Sequence, residues 1–417
     1  MPDLPTPRTV AGPGAGPQLV CVGASVRALA CAAARAGWRV HAADLFGDRD
    51  LLAEVTTYTS AAVTPYPHGL AEAAARFPDG PWCYTGALEN HPELIDRIAA
   101  ARPLAGNPGS VVRRVRDPML LGPAVCEAGL GFPDTFASPA GLPADGSFLR
   151  KPRASAGGRD IAPWHGATPE QTERDHVWQR RVDGDSWAVA LLCERHGARP
   201  WGFSRQLVGC RWCHAGAFAY CGSIAVPDGE VPAPVRDAGD RLGAMLVATF
   251  GIVGLCGVEL VVDRGGHVHV IEVNPRPTAS MELVDRARGV SHAAAHLAAF
   301  SLTTPMHVPT AFVPTALVPS AHVSAGTWGK AVLFAAHDVL VDARVDLALG
   351  RAHDRWSRAD GWPAVADVPC TGTRIDARRP LVTLFARGDT GPSVRRTLRR
   401  RAAALTKIFS TGEPTRF

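Results

Sequence analysis

Lysine is nearly missing from this 417-residue chain: of 44 basic residues only Lys151, Lys330 and Lys407 are Lys, the rest being Arg. A compositional drift towards Arg accounts for the imbalance. A Lys kept against that drift is a candidate for work that Arg does poorly, such as placing a compact point charge on a phosphate. Net charge is also small, +5 from 44 basic and 39 acidic residues. That is too little over this length to mark a nucleic-acid binder, and none is expected as a partner. Long apolar runs are lacking as well. An uncharged apolar stretch, residues 242–258, is interrupted by glycines and falls short of the roughly 20 residues of a membrane span. It reads as a helix end, a Gly turn and a strand, so no membrane association is expected. No apolar leader precedes the ten scattered Cys, and a reducing, cytoplasmic setting is the expectation. With 46% hydrophobic and 20% charged residues, disorder, a collagen-like chain and a disulfide scaffold are excluded. The length implies two or three lobes with sizeable cores.

Residues 1–17 are rich in Pro and Gly and read as a disordered tail. QLVCVGAS, a helical stretch over 27–36 and WRVHAAD then form a strand–loop–helix–strand unit of the doubly wound kind. The phosphate fingerprint GxGxxG is absent, since Gly23 stands alone. PWCYTGALEN is another strand running into a loop, followed by a helix over 91–101 with Pro92 in its first turn. Residues 148–273 are rich in Gly and in strand-like runs. A VPTAF, VPTAL, VPSAH repeat within 305–323 predicts an extended connector, because Pro at every fifth place fits neither helix nor central strand. Beyond it lie two strand-like runs, KAVLFAA and RPLVTLFA, and a final helix over 392–408. Its four surface arginines, Arg395, Arg396, Arg399 and Arg400, read as a solvated face.

Two segments carry chemistry. In FLRKPRASAGGRDI (148–161) a strand bearing Lys151 runs into a loop of small residues, Ser155 to Gly158, whose backbone N–H groups can approach phosphate oxygens closely. It is not a Walker A loop, because no GK[ST] follows. In CGVELVVDRGGHVHVIEVNPRPTASMEL (256–283) two apolar strands flank DRGG, a hairpin turn with Gly265 at the expected positive φ. A turn at 263–266 sets Glu259 opposite Val270. Period-two alternation then puts Val270, Glu272 and Asn274 on one face, with Glu259 diagonal to Glu272. Glu259, Glu272 and Asn274 form a hard-oxygen set suited to Mg²⁺ (or Mn²⁺). Carboxylates on so apolar a hairpin are costly unless a partner compensates them.

Together these segments resemble the ATP-grasp superfamily, with a phosphate-gripping Lys, a Gly-rich lid loop and a late strand carrying Glu-x-Asn. IEVNPRPTASME is especially similar to ATP-dependent carboligases related to biotin carboxylase. The resemblance spans roughly residues 18–390, through TGALEN, QRRVDGDSWAVALL and VADVPCTGTRI. It implies an α/β fold (α+β in the lid): a Rossmann-like lobe over 18–115, an ATP-grasp domain over 116–304 with its lid at about 134–182, a Pro-rich linker over 305–326, and a β-rich C-terminal lobe over 327–417. It implies ATP and Mg²⁺ as cofactors. Lys151 would contact the α- and β-phosphates. Ser155, Gly157 and Gly158 would close over them. Gln179, Arg180, Arg181 and Val182 would form the hinge against adenine, mainly through backbone groups. Arg276 would steady the γ-phosphate or an acyl-phosphate, and Ser280 would cap the helix that follows.

The chain departs from the family at three places. Arg116 stands where many relatives have a second phosphate Lys, Gln179 where Glu is common, and Ser186 where the ribose-binding acid falls. Asp183 or Asp185 is the expected replacement for that acid. CRWCH (210–214) matches a haem-attachment pattern, but with Cys221 it reads as ordinary core cysteine. The implied activity is ATP-dependent ligation, with a small-molecule carboxylate activated as an acyl-phosphate for attack by an amine or other nucleophile. Cofactor biosynthesis or one-carbon metabolism is the setting suggested, and a homodimer the expected assembly. Biotin-carboxylase-like carboxylation of bicarbonate and a non-catalytic ATP-binding regulator are the alternatives.

Overall fold

The computed structural model describes residues 8–9, 16–60, 66–166, 173–304 and 326–411. Most of the expected tail and nearly all of the expected linker therefore lie outside the described residues. Within the tail segment, however, β1 (Arg8–Thr9) pairs antiparallel with β4 (Thr57–Ser60). The first sheet also contains β2 (Gln18–Val22), β3 (Arg39–Asp44) and β5 (Trp82–Tyr84), in the order β1-β4-β3-β2-β5. β2 is parallel to both β3 and β5, and β3 to β4. Leu19, Val20, Cys21 and Val22 are all fully buried, because helices cover both faces of this sheet and leave no polar side to the strand. The expected strand–helix–strand unit is present, with its helix at Arg27–Arg35. The helix expected after β5, Pro92–Ala99, starts with Pro at its first turn.

A four-stranded antiparallel sheet occupies the stretch expected to be the lid: β6 (Thr135–Phe136), β7 (Phe148–Pro152), β8 (Ala162–Pro163) and β9 (His176–Arg180), in the order β6-β9-β7-β8. Phe148, Trp164 and Trp178 make its small core.

The largest sheet has eight strands in the order β14-β13-β10-β11-β12-β15-β19-β17. They are β10 (Gly184–Glu194), β11 (Gly197–Val208), β12 (Tyr220–Val226), β13 (Gly254–Asp263), β14 (Val268–Asn274), β15 (Thr327–Phe334), β17 (Val365–Ala366) and β19 (Pro380–Gly388). β16 (Val339–Leu340) and β18 (Arg374–Ile375) form a separate pair. The two strands expected after the connector are β15 and β19. They join the edge of the ATP-grasp strands through β12, so one sheet runs continuously across the boundary at 327. Helices Ala343–Asp360 and Gly391–Thr411 pack with β12, β15 and β19 into one apolar cluster. On the other half, Trp187, Val189 and Leu191 of β10 and Val258 and Leu260 of β13 pack against helix Ala233–Met245.

The β13–β14 hairpin differs from expectation in three ways. First, Gly266, at φ +83°, supplies the left-handed turn residue in place of Gly265. Asp263 organises the turn by accepting from the amides of Gly265 (2.8 Å) and His267 (2.9 Å). Second, the ladder shifts between Glu259 and Leu260, so that Glu259 faces Glu272 while Leu260 faces Val270. Ile271 is the extra residue of a β-bulge, which breaks period-two alternation. Third, Val270 consequently lies in the apolar cluster with Val258 and Leu260 rather than beside Glu272. The two carboxylates are directly opposite instead of diagonal.

Candidate active site

The sheet face opposite helix Ala233–Met245 carries Glu259, Glu272 and Asn274, and the bulge makes Glu259 and Glu272 cross-strand partners. Burial and the neighbouring Glu272 charge push Glu259 up to about 7, against the pull of Lys151 and a hydrogen bond with Gln206. Burial would raise Glu272 too, but Arg116 and Lys151 hold it below the usual carboxylate range. Arg116 reaches Glu272 directly through Nη1, and through Nη2 it donates to Asn90 Oδ1 and the Ser155 carbonyl, both at 3.3 Å.

A divalent cation fits this donor set. Two opposed carboxylates, one driven towards protonation by the other, gain from a shared cation, and Asn274 adds a neutral oxygen on the same face. Among the described residues no group of three or more His, Cys, Asp or Glu side chains is arranged to hold a metal. Two carboxylates and an amide oxygen suit an ion that completes its shell with water and phosphate oxygens, as Mg²⁺ does.

Lys151 on β7 lies within reach of this pair. Its Nζ donates to Gln179 Oε1 at 2.9 Å, and Gln179 Nε2 in turn donates to Thr135 Oγ1 at 3.1 Å. Burial lowers the Lys151 pKa, while the charges of Glu272 and Glu259 act to raise it. Its direct partner is thus a neutral amide, and among the described residues the ammonium has no carboxylate in contact. The loop after β7 turns on two consecutive left-handed glycines, Gly157 at φ +65° and Gly158 at φ +76°. A Cβ on Gly158 would stand 1.9 Å from the Phe218 carbonyl oxygen, and the Tyr220 amide donates to the Gly157 carbonyl at 3.0 Å. Only glycine lets the loop dock on residues 218–220. Ser155 Oγ is engaged within the loop, donating to the Arg159 carbonyl at 3.0 Å.

Arg276, just beyond β14, is bonded through Nη2 to Glu89 and to Asn274 Oδ1 (3.2 Å), and through Nη1 to the Pro277 carbonyl (3.1 Å). Glu89 comes from the TGALEN loop after β5 and is almost fully buried. Among the described residues, its Oε2 and the Arg276 Nε have no hydrogen-bond partner. The sequence marks TGALEN as a loop after a strand but does not single out Glu89. Its role lies in the ion pair with Arg276, 187 positions away, which no local pattern encodes. Gln206, Tyr220 and Ser223 were missed as well: the first bonds Glu259, and the Tyr220 and Ser223 hydroxyls are 3.0 Å apart.

Other expected site residues lie elsewhere. Asp185 pairs with Val262 across the β10–β13 ladder, whereas Ala188 pairs with Glu259. Strand alternation thus puts Asp185 on the opposite face, where it accepts from Arg205 Nη1 at 2.8 Å. Ser186, opposite Val261, is on the Glu259 face. Asp183 is bonded to Arg181 Nε at 3.0 Å on the surface. Arg180 donates to Asp134 (2.9 Å) and lies over the Phe148 ring. The amides of Arg180 and Arg181 are committed to the Asp134 and Ser147 carbonyls, while Val182 is half-buried beside them. Ser280 caps no helix. Thr278 caps the short turn Ala279–Met281 in its place, with Ser280 Oγ 3.1 Å from the Thr278 hydroxyl. Cys213 and Cys221 are fully buried in the C-terminal apolar cluster together with Cys210.

This arrangement of lid, Lys-bearing strand and Glu-x-Asn hairpin defines a class of nucleotide-binding fold. Residues 119–280 match the family model described as an ATP-grasp domain, and the chain carries that domain. No curated protein sequence matches the chain significantly. Among solved structures it is similar to the L-amino acid ligase from Bacillus licheniformis, with 14% identity, TM-score 0.61, and 93% of this chain and 97% of the other covered. It is also similar to the carboxyaminoimidazole ribonucleotide synthase from Aspergillus clavatus complexed with ATP, with 13% identity, TM-score 0.64, and 94% and 99% covered. A third is the biotin carboxylase domain dimer of Hydrogenobacter thermophilus 2-oxoglutarate carboxylase in complex with MgADP and bicarbonate, with 11% identity, TM-score 0.63, and 95% and 96% covered. These likenesses establish the ATP-grasp fold over nearly the whole chain. No helix among the described residues is long and apolar enough to cross a membrane.

Proposed function

We propose that the protein is an ATP-dependent, ADP-forming ligase that activates a small-molecule carboxylate as an acyl-phosphate for attack by an amine or other nucleophile. The observation that carries this reading is the opposed pair Glu259–Glu272, with Lys151, Arg116 and Arg276 gathered around it. Carboxylates and cations on one sheet face suit a polyphosphate bound through Mg²⁺, and they concentrate charge at its outer phosphates. Glu259, Glu272 and Asn274 would hold the metal, which neutralises phosphate charge when bound. Lys151 would grip the α- and β-phosphates, and Ser155, Gly157 and Gly158 would line the lid above them. Adenine would lie along the hinge from Gln179 to Val182, with the Val182 N–H as a donor, since those of Arg180 and Arg181 are spent. Arg276, pinned by Glu89, would steady the γ-phosphate and the acyl-phosphate. No side chain here need become covalently attached to substrate; the residues position groups and neutralise charge.

Bicarbonate is itself a carboxylate, so the carboxylation described for the Hydrogenobacter relative is a special case of the same chemistry. That relative is described as a dimer, which supports a homodimer here. The domain division proposed is a Rossmann-like lobe to residue 115, the ATP-grasp domain to 304 and a C-terminal lobe from 327, in a cytoplasmic protein. The test is an ADP-release screen over carboxylate–amine pairs, with bicarbonate plus free biotin as one arm. A pair that stimulates ADP release and yields the coupled product supports the ligase. MgATP binding with no stimulation by any pair points to a regulator.

A further inference from the structure

Arg116 touches three parts of the site at once: Glu272 on β14, Asn90 in the loop after β5, and the Ser155 carbonyl in the lid loop. Its position is fixed by local structure. Arg116 ends helix Gly109–Arg116, and the next residue, Asp117, caps helix Pro118–Glu127 by accepting from the Met119 amide at 3.0 Å. The side chain is only 12% exposed, and the surrounding carboxylates are Glu272, Glu89 and Glu259. The guanidinium is thus a built-in counter-ion for Glu272. A guanidinium seated on Glu272 Oε1 draws on the same carboxylate charge that an inner-sphere cation would use, and the two positive charges held that close repel each other.

We propose that Arg116 competes with the divalent cation for Glu272, and that nucleotide relieves the competition by offering the guanidinium a phosphate in exchange. The proposal rests on Glu272 being a metal ligand. Its consequence is positive coupling between metal and nucleotide, beyond their direct contact with each other. The cation binds Glu272 poorly until Arg116 has another partner. Because the same side chain holds the Ser155 carbonyl, the exchange also changes what secures the lid loop.

A role confined to phosphate binding predicts that loss of Arg116 weakens nucleotide and leaves bare metal binding alone. Competition predicts effects of opposite sign. The test is Mn²⁺ titration of the full-length, nucleotide-free protein, followed by electron paramagnetic resonance of free Mn²⁺. The affinity for AMPPNP at saturating Mg²⁺ is measured separately. Arg116→Gln is expected to bind Mn²⁺ about tenfold more tightly than the parent protein, and AMPPNP about tenfold less tightly. Arg116→Lys keeps the charge without the fork and should fall between; it serves if the Gln variant does not fold. Unchanged or weaker Mn²⁺ binding by both variants overturns the proposal. Glu272→Gln separates this from failure of the metal assignment. If it leaves Mn²⁺ and AMPPNP affinities at parental values, Glu272 is not a ligand, and both ideas fall.

Discussion

Lys151 was legible in the sequence because a rare residue stood on a strand before a small-residue loop, and the structure gives it a neutral partner in Gln179. That pairing sharpens what its substitution should do. Lys151→Ala is expected to lower ATP affinity by roughly 10- to 100-fold, the worth of a hydrogen bond to a charged group. Lys151→Arg should recover only part of it, since the planar fork does not occupy the same point. Lys407→Ala, on the exposed side of the last helix, should leave the affinity unchanged. Isothermal titration with AMPPNP and Mg²⁺ reads all three, and equal losses in the three variants would remove any special role for Lys151. Glu272 and Asn274 were legible for a related reason, as polar residues on a Val-rich strand. Glu89 was not, because its importance lies in an ion pair with Arg276, 187 positions away, and no local pattern encodes it.

At the scale of elements, alternation identified the β13 and β14 strands but not their register. The bulge at Ile271 carries no signature in an apolar run, and the turn was placed one glycine early. The same limit hid the failure of Asp185, whose face depends on which strand flanks β10. Element contacts also set a pH dependence. His296, on helix His292–Ala298, accepts from the Leu255 amide through Nδ1 (3.0 Å) and donates to the Ala105 carbonyl through Nε2 (3.1 Å). It thereby ties the start of β13 to the first lobe. The bond that Nδ1 accepts requires a neutral ring, and burial lowers the pKa from 6.5 to about 4. Between these values the unfolded chain binds the extra proton, so stability is full above about pH 6.5 and is lost as pH falls towards 4. The loss should be on the order of 2–3 kcal/mol. Urea unfolding at pH 7.0 and 4.5 measures it. His296→Gln, less stable at pH 7, should show a shallower acid slope; an unchanged slope would remove His296 as its source.

Over the whole molecule, the sheet crosses the expected boundary at 327, because β15 pairs with β12 across a hundred intervening residues. Pairing of that range leaves no trace in composition or periodicity. A buried ionic network ties the three regions together: Arg27 bonds Glu282 (2.6 Å) and Asp367 (2.8 Å), while Lys330 lies 3.5 Å from Glu282. Removing one partner of such a network typically costs about 3–5 kcal/mol, since it leaves a buried charge uncompensated. The N-terminal lobe, the segment after β14 and the C-terminal strands are therefore held as one framework around the sheet face that carries Glu259 and Glu272. The central claim is that this framework delivers a carboxylate to the γ-phosphorus of ATP. Its most direct test labels both carboxylate oxygens of the accepted acid with ¹⁸O and follows the phosphorus products by ³¹P NMR. Acyl-phosphate chemistry transfers one ¹⁸O to inorganic phosphate, with ADP formed in step. Label appearing in AMP, with pyrophosphate released, would contradict the account.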